Sequence, residues 1–83
     1  MSVLATRHAD AFVEAIRRRL GERLAVRPAD VAAACDVSLS TVYAWIDEGV
    51  VEAVNIGRGE RASWQVLGSS VVAFYERQKG VGR

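Results

Sequence analysis

The sequence predicts a mainly α-helical fold with one small β-hairpin, and three observations carry that expectation. Residues 3–24 hold an apolar stripe at helical spacing. Residues 28–48 read as two short helices around a tight turn, the helix-turn-helix pattern. Residues 53–66 switch to alternating periodicity around a Gly-containing loop, which makes a hairpin. A hairpin directly after a helix-turn-helix is a wing. The expected architecture is a winged helix-turn-helix with an added N-terminal amphipathic helix, in a single domain of 83 residues.

The N-terminal element rests on Ala9, Phe12, Val13, Ile16 and Leu20, with Leu24 continuing the stripe. Asp10 and Glu14 precede Arg17 and Arg18 in the acid-before-base order that supports a helix, and Gly21 weakens or ends it. Two readings of the stripe stay open: it covers the protein's own core, or it packs on a second subunit. Arg17-Arg18-Arg19 cannot all face one way on a helix, so a solvated surface is their default role and phosphate contact the second.

In the next element Pro28 suits a first helical position, where its missing N–H costs nothing. Val31, Ala32 and Cys35 share one face, and Asp36-Val37 make the turn. Ser38 is placed to cap the second helix through its hydroxyl. Val42, Trp45 and Ile46 form the apolar face of that helix, and Gly49 supplies the left-handed residue that ends it.

The period then changes. Ala53-Val54-Asn55-Ile56 reads as a strand with Val54 and Ile56 on one side. Gly57-Arg58-Gly59-Glu60 is the turn, and Arg61 to Val66 is the return strand with Ala62, Trp64 and Val66 aligned. The Gly-x-Gly lacks the third glycine and following helix of a nucleotide loop. Ser69 or Ser70 can cap a last helix over 69–79, whose apolar face holds Val71, Phe74 and Tyr75. Residues 80–83 are expected to form a loose, positive tail.

Composition narrows the function. The apolar fraction of 51% and charged fraction of 25% are those of a globular protein. No apolar run approaches the roughly 20 residues a membrane span needs. Arg7, Asp10 and Glu14 interrupt any secretory core, so the expected location is cytoplasmic. Cys35 is the one cysteine, which excludes an intrachain disulfide, and its place on an apolar face suits a buried small hydrophobe. With His8 as the one histidine, a four-ligand zinc site cannot be assembled. No triad, carboxylate pair or phosphate loop is present, so neither catalysis nor a cofactor is expected.

The charge distribution says more than the net charge of +1. Residues 1–27 carry six arginines against three acids, and residues 57–83 carry five cations against Glu60 and Glu76. Residues 28–56 contain no Lys or Arg and five acids: Asp30, Asp36, Asp47, Glu48 and Glu52. On the second helix of the motif, Ser38, Ser40, Thr41 and Tyr43 can donate to phosphates or bases, and Ala44 can touch a thymine methyl. Arg58 and Arg61 on the wing are the candidate cations for the minor groove or backbone. Double-stranded DNA is the expected partner, with modest specificity read partly through DNA shape.

The segment from Val26 to Arg77 resembles the excisionase, or recombination directionality factor, family, a group of small winged-helix proteins related to MerR-type DNA-binding domains. The residues that carry the resemblance are Asp30-Val31-Ala32, Val37-Ser38, Thr41-Val42-Tyr43, Ile46, Gly49, Ala53-Val54-Asn55-Ile56-Gly57, Arg61, Trp64, Val66 and Phe74. Ala44 and Gln65 stand where that family often has basic residues, and the N-terminal helix is an addition. The resemblance implies a non-catalytic protein that binds cooperatively, bends attachment-site DNA and helps a phage or mobile-element integrase, of tyrosine or serine type, drive excision. Self-association through the N-terminal helix is then expected. A MerR-like transcriptional regulator is the alternative, and a protein-interaction module that has lost DNA binding is the third reading.

Overall fold

The computed structural model describes the backbone of residues 3–81 and the side chains of residues 9–78. In chain order it has α1 (Val3–Ile16), a π-helical segment (Arg17–Gly21), β1 (Ala25–Val26), α2 (Pro28–Cys35), α3 (Leu39–Glu48), β2 (Ala53–Asn55), β3 (Trp64–Leu67) and α4 (Gly68–Val81). The three strands form one antiparallel sheet in the order β1-β3-β2. The architecture is mainly helical with a small sheet, compatible with a winged helix-turn-helix.

The sheet has one strand more than the hairpin expected from sequence. Ala25 pairs with Leu67 and Val26 with Val66, while Ala53, Val54 and Asn55 pair with Val66, Gln65 and Trp64. β3 is therefore the central strand. Val26 and Val66 meet on the core face, and both are buried. The reading of one helix through residue 24 is corrected accordingly. The α-helix stops at Ile16, a widened π turn carries the chain to Gly21, and residues 22–24 turn into β1. The wider turn places Leu20 in the core beside Ile16, each 1% exposed, but Leu24 leaves the stripe and is 80% exposed.

The rest of the stripe covers the protein's own core. Val13, Ile16 and Leu20 are buried, and Phe12, 44% exposed, sets its ring against Tyr75 of α4 at 5.6 Å. The packing reading that needs only this chain thus accounts for three of the stripe's large side chains. Gly68 lets α4 begin directly against the end of the π segment. A Cβ there would overlap the carbonyls of Leu20 and Arg23, and its N–H donates to the carbonyl of Leu24 at 3.3 Å.

α2 starts with Pro28 in its first turn and ends at Asp36, which takes a left-handed conformation (φ 56°) that a short polar side chain tolerates. Val37 N–H donates back to Ala32 at 3.0 Å, closing the turn between the two helices. α3 begins at a Ser38 cap whose Oγ accepts from Thr41 N–H at 3.1 Å, and it ends at Gly49 with φ 76°. Val31, Cys35, Val42 and Val51 pack with Val71 and Val72 of α4. Trp45, Phe74 and Tyr75 extend the core as an aromatic cluster with centroids 5.1 to 5.9 Å apart. Burial pushes the Cys35 thiol up from its ordinary value, and a hydrogen bond from Tyr75 offsets part of that. Burial first, then the hydrogen bond and charge of Cys35, push the Tyr75 phenol up as well.

α4 starts at Gly68, one residue before the expected 69–79 helix and ahead of either serine. Ser70 instead ties three segments together: its Oγ accepts from Glu52 N–H at 2.9 Å and donates to Leu67 C=O at 2.7 Å. The helix also runs on to Val81, so the loose tail expected over 80–83 is corrected for Gly80 and Val81. Residues 82 and 83 lie outside the described residues, as do the side chains of Arg7, His8 and Lys79.

Candidate nucleic-acid interface

α3 offers two faces because its apolar residues repeat every three to four positions. Val42 is buried, Trp45 and Ile46 are partly buried, and Ser40, Tyr43, Ala44 and Asp47 are exposed on the other side. Tyr43 is 44% exposed, so much of its ring faces solvent. Leu39, also 44% exposed, joins this outward face at the first turn; the sequence reading did not single it out.

The hydroxyls at the start of α3 form one cluster. Ser38 Oγ lies 2.8 Å from Thr41 Oγ1 and 3.1 Å from Ser40 Oγ, while it accepts the Thr41 N–H. The cap therefore fixes the positions of three of the candidate residues at once. Ser38 Oγ accepts the cap N–H and keeps its own O–H, and in its contacts with Ser40 and Thr41 either hydroxyl can be the donor. No Lys or Arg lies on α3, and its far end carries Asp47 and Glu48. The helix can position hydroxyl, phenol and methyl groups in a groove, but the cations must come from elsewhere.

The wing carries two, Arg58 and Arg61. Both strands of the hairpin are shorter than the sequence suggested: β2 ends at Asn55 and β3 starts at Trp64, so Ile56, Arg61 and Ala62 belong to the loop. Val54 and Ile56 are exposed, at 62% and 53%. The loop is nonetheless tied. Asn55 Oδ1 accepts from Gly57 N–H at 2.9 Å and from Ser63 N–H at 3.0 Å, and Ile56 N–H donates to Ser63 C=O at 2.8 Å. At the tip Arg61 N–H donates to Arg58 C=O at 3.1 Å, which holds the two wing arginines on one turn. Both side chains are exposed.

Asn55 is the residue that sequence reasoning passed over. Its signal was present: an asparagine at a strand end before Gly-x-Gly is placed to accept the amide two residues on, an Asx turn. The candidate set thus divides in space into a hydroxyl and aromatic group on α3 (Ser38, Ser40, Thr41, Tyr43, Ala44) and a cationic pair on the wing (Arg58, Arg61). Among the described residues no group of three or more His, Cys, Asp or Glu side chains could hold a metal. No helix among them is long and apolar enough to cross a membrane.

Comparison with protein families finds one that covers this arrangement. The model of a family described as a helix-turn-helix domain matches residues 26–79, from β1 through nearly all of α4. Comparison with curated proteins and with solved structures gives no match.

Proposed function

Because the chain belongs to the helix-turn-helix domain family, a family of DNA-binding domains, we propose that it is a non-catalytic DNA-binding accessory protein of the excisionase type. It binds double-stranded DNA with α3 in the major groove and the wing on the adjacent backbone or minor groove. It acts in the cytoplasm of a bacterial cell, as several copies on attachment-site DNA that assist an integrase in excision.

The observation that carries the reading is the division of labour between α3 and the wing. α3 presents Ser40, Thr41, Tyr43 and Ala44 without a cation, and the wing presents Arg58 and Arg61 on a turn held by Asn55. Hydroxyls and a tyrosine position a helix on phosphates and base edges, while arginines release counterions and supply affinity. So few cations on the reading elements give one copy a shallow grip. Several copies on one duplex raise occupancy through effective concentration. Among the described side chains of α1, exposed Phe12 with exposed Ala11 and Ala15 offers a surface for contact with a second copy.

A gel-shift series in salt tests the interface. The Arg58→Ala/Arg61→Ala protein should bind more weakly on all sequences, with the log–log salt slope lower by about 1–2. An unchanged slope removes the wing from the interface. Footprinting on attachment-site and promoter DNA separates an excision factor from a transcriptional regulator built on the same fold.

A further inference from the structure

The arginines of the N-terminal third are not equivalent. Arg17 pairs with Glu14 and with Glu76 of α4, each at 3.3 Å, and Arg18 reaches the same Glu14 at 3.9 Å. Those two cations are compensated by acids on the side of α4. Arg19 lies on the side of α2, where with Arg23 it borders a shallow depression against Asp30, Ala33 and Ala34. Arg23 and Arg27 approach a single carboxylate oxygen, Asp30 Oδ2, at 3.7 and 3.8 Å. These are long pairs at the surface, with the two arginine side chains 54% and 83% exposed, so water screens them. Asp30 also accepts the Arg27 N–H at 3.4 Å, which holds the carboxylate at the first turn of α2.

Two guanidinium groups therefore share one acid, and Arg19, which lines the same depression, adds a third cation along the flank of α2. The row starts with Arg27 at the first turn, continues with Arg23, and reaches Arg19 beside Ala33 and Ala34 farther along the helix. The first helix of a helix-turn-helix crosses the DNA backbone while the second enters the groove. On that docking, phosphates reaching Arg19 would belong to DNA flanking the segment beneath α3, and a duplex curved toward the protein would bring them there.

Resting on the DNA-binding reading above, we infer that Arg19, Arg23 and Arg27 form a second, sequence-independent phosphate site that takes flanking DNA and favours a bent duplex. The site compensates for the absence of Lys and Arg between residues 28 and 56. Asp30 is its brake: it caps α2 and at the same time subtracts one charge from the row.

The test compares a duplex of about 12 bp, spanning little more than one groove turn, with one of about 40 bp that carries the flanks. The Arg19→Gln/Arg23→Gln/Arg27→Gln protein should bind the short duplex within a few-fold of the wild type. On the long duplex it should lose roughly tenfold or more in affinity, with a salt slope lower by about 2–3, near 0.9 per phosphate released. Energy transfer between dyes on the two ends should report a straighter duplex. Arg18→Gln removes a charge from the other face and should leave slope and bend as they are. Asp30→Asn keeps an acceptor for the Arg27 amide but frees the row, so it should bind the long duplex more tightly and with a steeper slope. Circular dichroism checks that each variant folds, and the Asp30→Asn arm decides the question even if the triple variant does not. Unchanged slope and bend in the triple variant, or no gain in Asp30→Asn, overturn the inference while wild-type binding stands. Wild-type protein that binds neither duplex overturns the DNA-binding reading itself.

Discussion

Replacing Asn55 with alanine should loosen the wing without touching the core. The side chain contributes two hydrogen bonds through one oxygen, to the amides of Gly57 and Ser63, across a loop of eight residues between β2 and β3. Each such bond is worth about 0.5–1.5 kcal/mol, and water recovers part of that because the loop is exposed, so the loss is about 1–2 kcal/mol. For a domain of this size that lowers Tm by roughly 5–10 °C. A looser loop also has to be ordered on binding, at a cost of about 1 kcal/mol, which weakens DNA affinity several-fold. Asn55→Asp keeps the accepting oxygen and should hold the loop, although its charge beside Arg58 and Arg61 will cost DNA affinity. Amide exchange read by NMR at Gly57 and Ser63 is the direct assay, with thermal melting beside it. Exchange and Tm in Asn55→Ala that match the wild type would refute the clamp, as would an aspartate variant whose loop exchanges as fast as that of the alanine variant.

Other perturbations follow from the same geometry. Gly68→Ala should cost about 1–3 kcal/mol, because its Cβ would overlap the carbonyls of Leu20 and Arg23 and push α4 off the π segment; urea titration reads it, with exposed Ser69→Ala as the silent neighbour. Cys35 and Tyr75 are both pushed up by burial, so the folded protein keeps protons that the unfolded chain releases. Stability should therefore hold below the ordinary thiol value of about 8.5 and fall as pH rises past it; melting from pH 7 to 10 should show less of that fall in Cys35→Ala. Phe12→Glu leaves the buried residues of α1 in place and should abolish cooperative binding on long DNA, with light scattering and the Hill slope as readouts; cooperativity equal to the wild type would take α1 out of the contact between copies.

The helix-turn-helix was legible because its signals are local. Pro28, Ser38 and Gly49 each act on their own turn, and the structure places them at a first turn, a cap and a left-handed end. The third strand was not legible for the opposite reason. Ala25-Val26 is two residues long, and nothing in so short a stretch distinguishes it from the end of a helix whose apolar stripe stays in phase to Leu24; its pairing with β3 is a contact across some forty residues of chain. The π turn hides in the same place, since it shifts phase by one residue only after Ile16. Val72 escaped notice because adjacent valines cannot both lie on one narrow stripe. Both are buried here because α4 is covered on two sides, by the π segment and by the helix-turn-helix. At the candidate site the exposed chemistry of α3 and the wing followed from periodicity, while the clamp by Asn55 depends on loop geometry that strand alternation does not describe.

The charge layout sets what kind of recognition the surface can perform. Direct readout of guanine most often uses a bidentate arginine, and α3 has none. Hydroxyls, a tyrosine and an alanine methyl discriminate bases less strongly, so the ratio of specific to non-specific affinity belongs at the low end of the range for DNA-binding domains, about 10³. Cations set to either side of the reading helix act on phosphates instead, and phosphates carry no sequence directly. What they do sense is how easily a duplex brings its backbone to them. Flexible pyrimidine–purine steps lower that deformation energy, whereas stiff A-tracts raise it wherever a sharp kink is required. On the proposed DNA-binding reading, a helix without a cation and arginines on both flanks would select sites by bendability and by the spacing of neighbouring copies. In a selection from random duplexes, enrichment should appear as flexible steps at fixed offsets from a short, degenerate core; a sharp guanine-anchored consensus would show that α3 reads bases by a route its side chains do not suggest.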